Sequence, residues 1–483
     1  MHLRKFNVLL EIRIIFGVGC SMTMQQWCRS VAVPMGKLVV FQWYIGVGEN
    51  EAVQLFYYFV ESERNPKEDP LIIWLAGGPG CSTIFAFIYE IGPLHFQYGS
   101  YINGVPELQV DPNSWTQVAN VIFLDAPTLT GYSYAIDSNF ARASDTTSAA
   151  NTLEFIRKFI KNHPKFSKNP FYVTGISYSG TVVPMITEAI YKGMHSLELI
   201  SDMHFCGYML GNPLTDKKGD VNSRLEYAYR MGLIPNRLFE TTRRHCRGDY
   251  ADANPANLRC MSDIDEVNKR LAGINVLHIL DPNCNQPTNF VNAENPTGRE
   301  KRSFVDVNSM QMVYTKYSVN DTTCSSDGKQ YSNIWANDKS VMKALGVREG
   351  TIKEWTQCNS NMSFRYGANS MPLYETNVPS SVLYHRKLTK RNCRGLVFSG
   401  DYDLLIPHSG TLNWINSLNL VVTDSDWEAW YFGNQVAGYK TTFARKNYSL
   451  VFATIKGAGH LAPEYKRAEC FEMAKRWLDE TTI

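Results

Sequence analysis

The stretch Pro170-Phe171-Tyr172-Val173-Thr174-Gly175-Ile176-Ser177-Tyr178-Ser179-Gly180 decides the fold. Its first residues form a short, largely apolar run that predicts a buried strand, and residues 181–192 predict a helix. A serine at a sharp turn between a strand and a helix is typical of a nucleophile elbow. The strict Gly-x-Ser-x-Gly pattern is not met, because position 179 is serine. Since serine is small enough for such a turn, Ser177 is a candidate nucleophile.

Strands and helices alternate on both sides of this stretch. The predicted strands cover residues 52–61, 70–76, 118–125, 204–210, 395–399 and 449–455, and the clearest helical patterns cover residues 147–162 and 464–479. Such alternation predicts an α/β fold with a mostly parallel sheet and helices on both faces.

One region interrupts this alternation. Residues 216–335 are polar, contain four cysteines and include a loop-like stretch that ends in Arg299-Glu300-Lys301-Arg302. We interpret residues 216–335 as a cap inserted between two core segments, residues 44–215 and 336–483, because the strands resume only after it. A plain second domain is the alternative.

A nucleophilic serine needs a histidine base and an acid that orients it, which follow it along the chain as acid and then histidine in this type of fold. Only His385, His408 and His460 follow Ser177 with room for another strand between. His460 is the best candidate, because it lies in Gly457-Ala458-Gly459-His460 directly after a predicted strand. We interpret His408 as a loop residue and His385 as a surface residue. Asp401 and Asp403 both qualify as the acid, since both follow the strand at residues 395–399, and Asp401 is suited to cap the turn.

A glycine-rich loop, Gly77-Gly78-Pro79-Gly80-Cys81-Ser82, follows the strand at residues 70–76. It lacks the Gly-Lys-Ser/Thr ending of a phosphate loop and has no basic residue to hold phosphate. The functional interpretation is an oxyanion loop, in which the backbone N–H groups of Gly78 and Tyr178 stabilise a developing negative charge. A tight turn without a catalytic role is the alternative.

Composition excludes several classes of protein. The 483 residues include 48 Lys and Arg against 46 Asp and Glu, a net charge of +2, so nothing favours nucleic acid as a partner. No stretch reaches the roughly 18 to 20 apolar residues of a membrane-spanning helix. The eleven cysteines include no Cys-x-x-Cys pair, which disfavours a zinc site or a redox dithiol.

Glycosylation patterns favour the secretory pathway, whereas the N-terminus is ambiguous. Asn320, Asn361 and Asn447 each begin an Asn-x-Ser/Thr pattern. Residues 1–43 begin with a basic group and continue with a mostly apolar stretch that Asn7, Glu11 and Arg13 interrupt. They predict either an atypical signal region or an amphipathic or disordered leader.

Six motifs in this order closely resemble the plant serine carboxypeptidase-like family over residues 44–483, particularly its acyltransferase branch. They are Trp74-Leu-Ala-Gly-Gly-Pro-Gly-Cys-Ser82, Phe123-Leu-Asp-Ala-Pro127, Gly175-Ile-Ser-Tyr-Ser-Gly180, Gly211-Asn-Pro-Leu-Thr215, Ser399-Gly-Asp-Tyr-Asp403 and Gly457-Ala-Gly-His460. The resemblance implies an α/β-hydrolase fold with Ser177 as nucleophile, His460 as base and Asp403 as the orienting acid. It also implies an oxyanion hole at Gly78 and Tyr178, and no metal or cofactor.

The same resemblance implies three disulfides and a possible cleavage site. The pairs are Cys81 with Cys358, Cys246 with Cys260 and Cys284 with Cys324, and a segment near Arg299–Arg302 is excised in some relatives. Residues 1–43 do not match the start of the family, where a clear signal peptide is expected.

The substrate positions depart from those of the peptidases. The resemblance places Trp74, Ala76, Glu90 and Ile176 at the substrate, where carboxypeptidases use an asparagine at position 76 and a glutamate at position 176 to hold the carboxylate that ends a peptide. Neither alanine nor isoleucine can do so, and Glu90 has lost its carboxyl neighbour. Plant acyltransferases usually keep an acid before the nucleophile, so Ile176 departs from both groups.

Three functions therefore compete. We expect an acyltransferase that moves an acyl group from an activated ester, such as a 1-O-glucose ester, through Ser177 to an alcohol or amine in plant secondary metabolism. A carboxypeptidase or esterase and a degenerate binding protein are the alternatives. The expected partners are small molecules, with no nucleic acid and no membrane span, and the expected location is vacuolar or extracellular.

Overall fold

A computed structural model describes residues 40–193, 203–283, 326–362 and 373–483. The strands of these residues are β1 (Val40–Val47), β2 (Val53–Val60), β3 (Leu71–Leu75), β4 (Leu94–Ile102), β5 (Val105–Val110), β6 (Asn120–Leu124), β7 (Tyr134–Ala135), β8 (Ala143–Ser144), β9 (Phe171–Ile176), β10 (Phe205–Gly211), β11 (Tyr374–Glu375), β12 (Cys393–Gly400), β13 (Val421–Val422), β14 (Glu428–Phe432), β15 (Gln435–Arg445) and β16 (Tyr448–Ile455). The helices are α1 (Asp145–Asn162), α2 (Ser179–Gly193), α3 (Lys217–Arg230), α4 (Asn236–Cys246), α5 (Leu258–Leu271), α6 (Ser326–Asn337), α7 (Lys339–Ala344), α8 (Val382–Leu388), α9 (His408–Asn416), α10 (Ala462–Tyr465) and α11 (Arg467–Leu478), and Ala86–Glu90 form a π-helical turn.

Twelve strands form one sheet, and its centre is parallel. The six central strands run in the order β6-β3-β9-β10-β12-β16, and each pairs in parallel with its neighbours. The strands beyond them are antiparallel: β1, β2 and β7 on one side, and β13, β14 and β15 on the other. The predicted parallel core is therefore confirmed, with antiparallel margins on both sides.

Helices cover both faces of this sheet. On one face, Phe155 and Phe159 of α1, Ile186 of α2 and Trp414 of α9 are buried in one apolar cluster. On the other face, α11 buries its apolar side against a second cluster. Helix α1 begins at a capping box between Ser144 and Thr147, which satisfies backbone N–H groups that a first turn leaves unpaired. This α/β-hydrolase architecture brings the carboxyl ends of the parallel strands to one edge, where ligands bind in open α/β sheets.

The segment after β10 has an apolar cluster of its own. Val221 and Leu225 of α3 and Ile264 and Val267 of α5 pack with Leu404, which follows β12. Helices α3 and α5 therefore lie near the carboxyl end of the sheet. The division of the chain into core, cap and leader stays a prediction.

Several local predictions need correction. The predicted helix over residues 464–479 consists of two helices, α10 and α11. His385, expected at the surface, is fully buried, and His408, expected in a loop, is the first residue of α9. No helix of the described ranges is both long and apolar enough to cross a bilayer.

Candidate active site

Ser177 occupies a strained turn between β9 and α2. Its φ is 60°, in the left-handed region that side chains other than glycine rarely adopt. The Ser177 N–H donates to the Gly211 carbonyl at 2.9 Å, and the Ser177 carbonyl accepts from the N–H groups of Gly180 and Leu214. The backbone on both sides of the serine is therefore held in the strained conformation.

Small neighbours make this turn possible. A Cβ on Gly175 would lie 2.6 Å from the Ser179 Cβ, and one on Gly180 would lie 2.5 Å from the Pro213 Cβ, so only glycine fits at either position. Ser179 is buried, and its hydroxyl donates a hydrogen bond to the Ala76 carbonyl. The departure from Gly-x-Ser-x-Gly thus leaves no unpaired hydroxyl in the elbow.

The structure brings Ser177, His460 and Asp403 into contact. The Ser177 Oγ lies 2.8 Å from the His460 Nε2, and the His460 Nδ1 lies 2.7 Å from the Asp403 Oδ2. Ser177 is 4% exposed, and the other two side chains are fully buried. A serine, its base and an orienting acid within hydrogen-bond distance form the arrangement that nucleophilic acyl transfer requires.

Donors on three sides hold the Asp403 carboxylate. The N–H groups of Leu405 and Ile406 donate to its Oδ1 at 2.8 and 3.0 Å, and the Asn212 amide donates to its Oδ2 at 2.9 Å. Asn212 lies in the motif of residues 211–215, whose sequence alone indicates no catalytic role. Its position directly after a central strand is the sequence feature that could have indicated a place in the site.

Asp401 has a different place. Its Oδ1 accepts a hydrogen bond from the Gly457 N–H at 2.7 Å, so it ties together the turns after β12 and β16. Burial raises the pKa of Asp401, and hydrogen bonds from Gly457 and Ala458 oppose that rise. Asp401 therefore caps a turn, as its position suggested, and Asp403 meets the histidine.

The other two candidate histidines lie away from Ser177. His385 Nδ1 lies 3.0 Å from the Tyr208 hydroxyl, and complete burial lowers its pKa to about 3. Burial also lowers the pKa of His408. Sequence order reveals neither placement: α8 packs His385 against Tyr208 of β10, and α9 places His408 beside Tyr227 of α3.

The glycine loop after β3 lies directly against the nucleophile. A Cβ on Gly77 would be 2.6 Å from the Ser177 Cβ, so this approach requires glycine. The disulfide between Cys81 and Cys358 ties the end of the loop to residues 357–359, as does a hydrogen bond from the Ser82 N–H to the Gln357 carbonyl. Within the described residues, neither the Gly78 nor the Tyr178 backbone N–H donates to a protein acceptor.

A pocket of about 350 Å³, including space open to solvent, lies beside Ser177. Its walls are mostly apolar, and they include Ala76, Phe85, Ile176 and Leu461 together with Glu90. Three of the four predicted substrate residues therefore line this pocket. Trp74 does not line it: its side chain is fully buried, with its ring centroid 5.3 Å from that of Trp115.

Glu90 is a buried acid with an unpaired oxygen. Its side chain is 2% exposed, and its Oε2 has no hydrogen-bond partner among the described residues. Burial, with repulsion from Glu464, raises the pKa of Glu90 to about 8, although Arg467, the nearby Trp74 indole and Lys329 oppose the rise. At neutral pH Glu90 is therefore mostly protonated and uncharged.

Two of the three expected disulfides are present, Cys81–Cys358 and Cys246–Cys260. Asn361 and Asn447 are exposed, as glycan attachment requires. Cys284, Cys324, Asn320 and Arg299–Arg302 lie outside the described residues, so the predictions for them stay predictions.

Comparisons with known proteins agree with this architecture. The family model of serine carboxypeptidases matches residues 39–480. Serine carboxypeptidase-like 17 of Arabidopsis thaliana is 40% identical over 435 residues, which cover 90% of this chain and 88% of that protein. Serine carboxypeptidase-like 19 of the same plant is 40% identical over 443 residues and covers 90% of each.

A solved structure shares the fold. KEX1(DELTA)P, a prohormone-processing carboxypeptidase from Saccharomyces cerevisiae, aligns with a TM-score of 0.66 and 18% identity over 91% of this chain and 90% of that chain. The family match includes every strand and helix described above, and the identity to the plant proteins extends over 90% of the chain. The chain belongs to the serine carboxypeptidase family.

Proposed function

We propose that this protein is an acyltransferase, which takes an acyl group from an activated ester, such as a 1-O-glucose ester, and passes it to an alcohol or amine in plant secondary metabolism. The observation that carries the proposal is the apolar wall that Ala76 and Ile176 form in the pocket beside Ser177. A substrate without a carboxylate needs no hydrogen-bond donor at these two positions, so their apolar side chains do not weaken its binding.

The first half of the proposed reaction forms an acyl-enzyme. The Ser177 Oγ attacks the ester carbonyl while His460 Nε2 takes its proton, and Asp403 stabilises the imidazolium. The negative charge on the carbonyl oxygen is stabilised by the N–H groups of Gly78 and Tyr178, which have no acceptor among the described residues. His460 then returns the proton to the leaving alcohol, and the ester bond breaks.

The second half transfers the acyl group. The acceptor enters the position that the leaving alcohol has vacated, and His460 takes the proton of its hydroxyl or amine. The acceptor attacks the acyl carbon, the same N–H groups stabilise the second intermediate, and Ser177 regains its proton from His460. Water in place of the acceptor would give hydrolysis, so the outcome depends on which nucleophile occupies the pocket.

Burial energetics disfavour a peptide carboxylate in this pocket. An unpaired neutral polar group costs roughly 2–7 kcal/mol to bury, and an ion costs more. The side chains of Ala76 and Ile176 offer no donor to offset that cost. Peptides that end in a free carboxylate should therefore bind poorly.

A carboxypeptidase is the second candidate, because a protonated Glu90 could donate one hydrogen bond to a substrate carboxylate. A degenerate binding protein is disfavoured by the contacts among Ser177, His460 and Asp403, which a protein without turnover would not need.

We also propose that the protein follows the secretory pathway to the vacuole or the cell exterior. Two disulfides favour an oxidising compartment. The exposed Asn361 and Asn447 suit glycosylation in the same pathway.

The experiment is incubation of the purified protein with a panel of hydroxycinnamoyl and benzoyl glucose esters, each with and without alcohol and amine acceptors. Acylated acceptor should form with at least one donor, and only when the acceptor is present. Release of free acid alone, at the same rate with every acceptor, would point to an esterase.

A further inference from the structure

A second buried carboxylate, Asp145, lies behind the nucleophile elbow. Asp145 is the first residue of α1 and is fully buried. Its Oδ1 accepts hydrogen bonds from the Tyr178 hydroxyl at 2.7 Å and from the Tyr374 hydroxyl at 2.9 Å, and its Oδ2 accepts one from the Val378 N–H at 2.8 Å. Three separate segments of the chain thus meet at one side chain.

The protonation states suit this arrangement. Burial and the neighbouring Asp145 raise the pKa values of Tyr178 and Tyr374 far above the usual range, so both phenols keep their protons and donate. Burial also raises the pKa of Asp145, and the hydrogen bonds from Tyr178, Val378 and Tyr374 oppose that rise. A hydrogen bond to an ionised acceptor is stronger than one between neutral groups.

Tyr178 connects this carboxylate to the site of reaction. Its backbone N–H follows directly after Ser177, and the peptide plane that carries this N–H is part of the strained turn. The turn holds Ser177 through backbone hydrogen bonds on either side, whereas the Tyr178 side chain is held at its far end by Asp145. The ring is 7% exposed and meets Tyr374 edge to face at 5.8 Å.

We propose that Asp145 is a positioning residue, which orients the oxyanion-stabilising N–H of Tyr178 by holding the phenol of the same residue. This proposal rests on Ser177 acting as the nucleophile, and it holds whether the acyl group passes to an alcohol, an amine or water. Loss of one oxyanion donor costs about 10² to 10³ in kcat. If the donor is displaced but still present, kcat should fall by less than that, roughly 10- to 100-fold.

The chain provides a matched control. Tyr178→Phe and Tyr374→Phe each remove one hydroxyl that donates to the same Asp145 oxygen, and the two side chains are similarly buried. Only Tyr178 is part of the elbow. The substrate is p-nitrophenyl acetate, whose acylation step needs no natural acceptor. The inhibitor is a trifluoromethyl ketone, whose hemiketal oxyanion occupies the position of the intermediate.

Tyr178→Phe should lower kcat roughly 10- to 100-fold and weaken the trifluoromethyl ketone to a similar degree, with little change in KM. Tyr374→Phe should lower the melting temperature comparably but keep kcat within about twofold of the wild type. Equal losses of kcat in both variants, or an unchanged inhibitor affinity in Tyr178→Phe, would overturn the proposal and assign the cluster to stability alone.

A double variant keeps the test decisive if one single variant folds poorly. If Asp145 acts through Tyr178, adding Asp145→Asn to Tyr178→Phe should cost little further kcat, whereas independent effects would multiply. A multiplicative loss would contradict the proposal. If the wild type itself does not hydrolyse p-nitrophenyl acetate or react with the ketone, the assignment of Ser177 fails first, and the two failures are thereby distinguished.

Discussion

The Asn212 amide and the His460 imidazole bind the same oxygen of Asp403, at 2.9 and 2.7 Å. The other oxygen of Asp403 accepts hydrogen bonds from the N–H groups of Leu405 and Ile406. With both oxygens engaged, the carboxylate cannot rotate without breaking hydrogen bonds in a fully buried site. The orientation of His460 is therefore determined by residues after β10 and β12 rather than by its own loop alone.

The two acids after β12 should respond differently to the same substitution. Asp403→Asn removes the charge that stabilises the imidazolium and places an amide beside the Asn212 amide, so kcat for ester cleavage should fall roughly 10⁴-fold. Asp401→Asn keeps an oxygen that accepts the Gly457 N–H, so its loss should stay below about tenfold. Steady-state kinetics on p-nitrophenyl acetate give both values, and similar losses in the two variants would contradict the assignment of Asp403.

Covalent labelling tests the nucleophile. A serine-directed fluorophosphonate should label the wild type with a stoichiometry near one, and Ser177→Ala should remove both the label and nearly all transfer, because the attacking oxygen is gone. Ser179→Ala is the matched control, since this hydroxyl donates to the Ala76 carbonyl and has no other partner among the described residues. Intact-mass spectrometry reads the label, and persistent labelling of Ser177→Ala would show that another residue reacts.

The parallel core and the grouping of Ser177, His460 and Asp403 follow from short motifs, whereas burial against distant parts of the chain does not. The alternation around residues 170–180 predicts the parallel core, because each strand and helix carries its own periodicity. The burial of His385 depends on how α8 packs against Tyr208 of β10, and no local pattern encodes that contact. Trp74 likewise lies within a recognisable motif, but its indole is buried against Trp115 and near Glu90, behind the pocket wall rather than at its surface.

The unpaired acid in the pocket predicts a dependence of stability on pH. The pKa of Glu90 is raised from 4.5 to about 8 in the folded protein, so between these values the folded state binds a proton that the unfolded state has lost. Its contribution to stability is therefore fully present below about pH 4.5 and is lost as pH rises through 8. In Glu90→Gln, the decline in the free energy of unfolding with rising pH should be smaller by an amount on the order of a few kcal/mol. Urea unfolding of the wild type and the variant at pH 5 and pH 8.5 measures this decline, and equal declines in the two proteins would contradict the prediction.

The two disulfides should have unequal effects on catalysis. Cys81–Cys358 joins residues 277 positions apart, and Cys246–Cys260 joins residues 14 apart. Removal of the first disulfide should therefore lower the free energy of unfolding by up to about 5 kcal/mol, and removal of the second by about 3 kcal/mol. Replacing Cys81 and Cys358 by serine should also lower kcat, since their bond tethers the loop beside Ser177. Replacing Cys246 and Cys260 by serine is the control, and this variant should keep the kcat of the wild type.

Peptide mapping of unreduced protein from plant tissue checks the bonds, and free thiols at Cys81 and Cys358 would contradict the secretory proposal.

Substrate choice should change when polar groups are returned to the pocket. The double variant Ala76→Asn with Ile176→Glu places two hydrogen-bonding side chains beside Glu90, and such groups contribute a few kcal/mol once water is excluded. Release of the C-terminal amino acid from a blocked dipeptide should rise by one or more orders of magnitude, while ester transfer changes less. Melting temperatures of both proteins control for misfolding, because the new carboxyl is buried.

The ratio of peptide cleavage to ester transfer in the wild-type protein tests the acyltransferase proposal most directly. Purified protein is given a blocked dipeptide in one reaction, and a hydroxycinnamoyl glucose ester with an alcohol acceptor in another, and kcat/KM is measured for each. We expect negligible release of the C-terminal amino acid and measurable acylation of the acceptor. Efficient trimming of the dipeptide, with no acylated acceptor, would contradict the proposal and identify the protein as a carboxypeptidase.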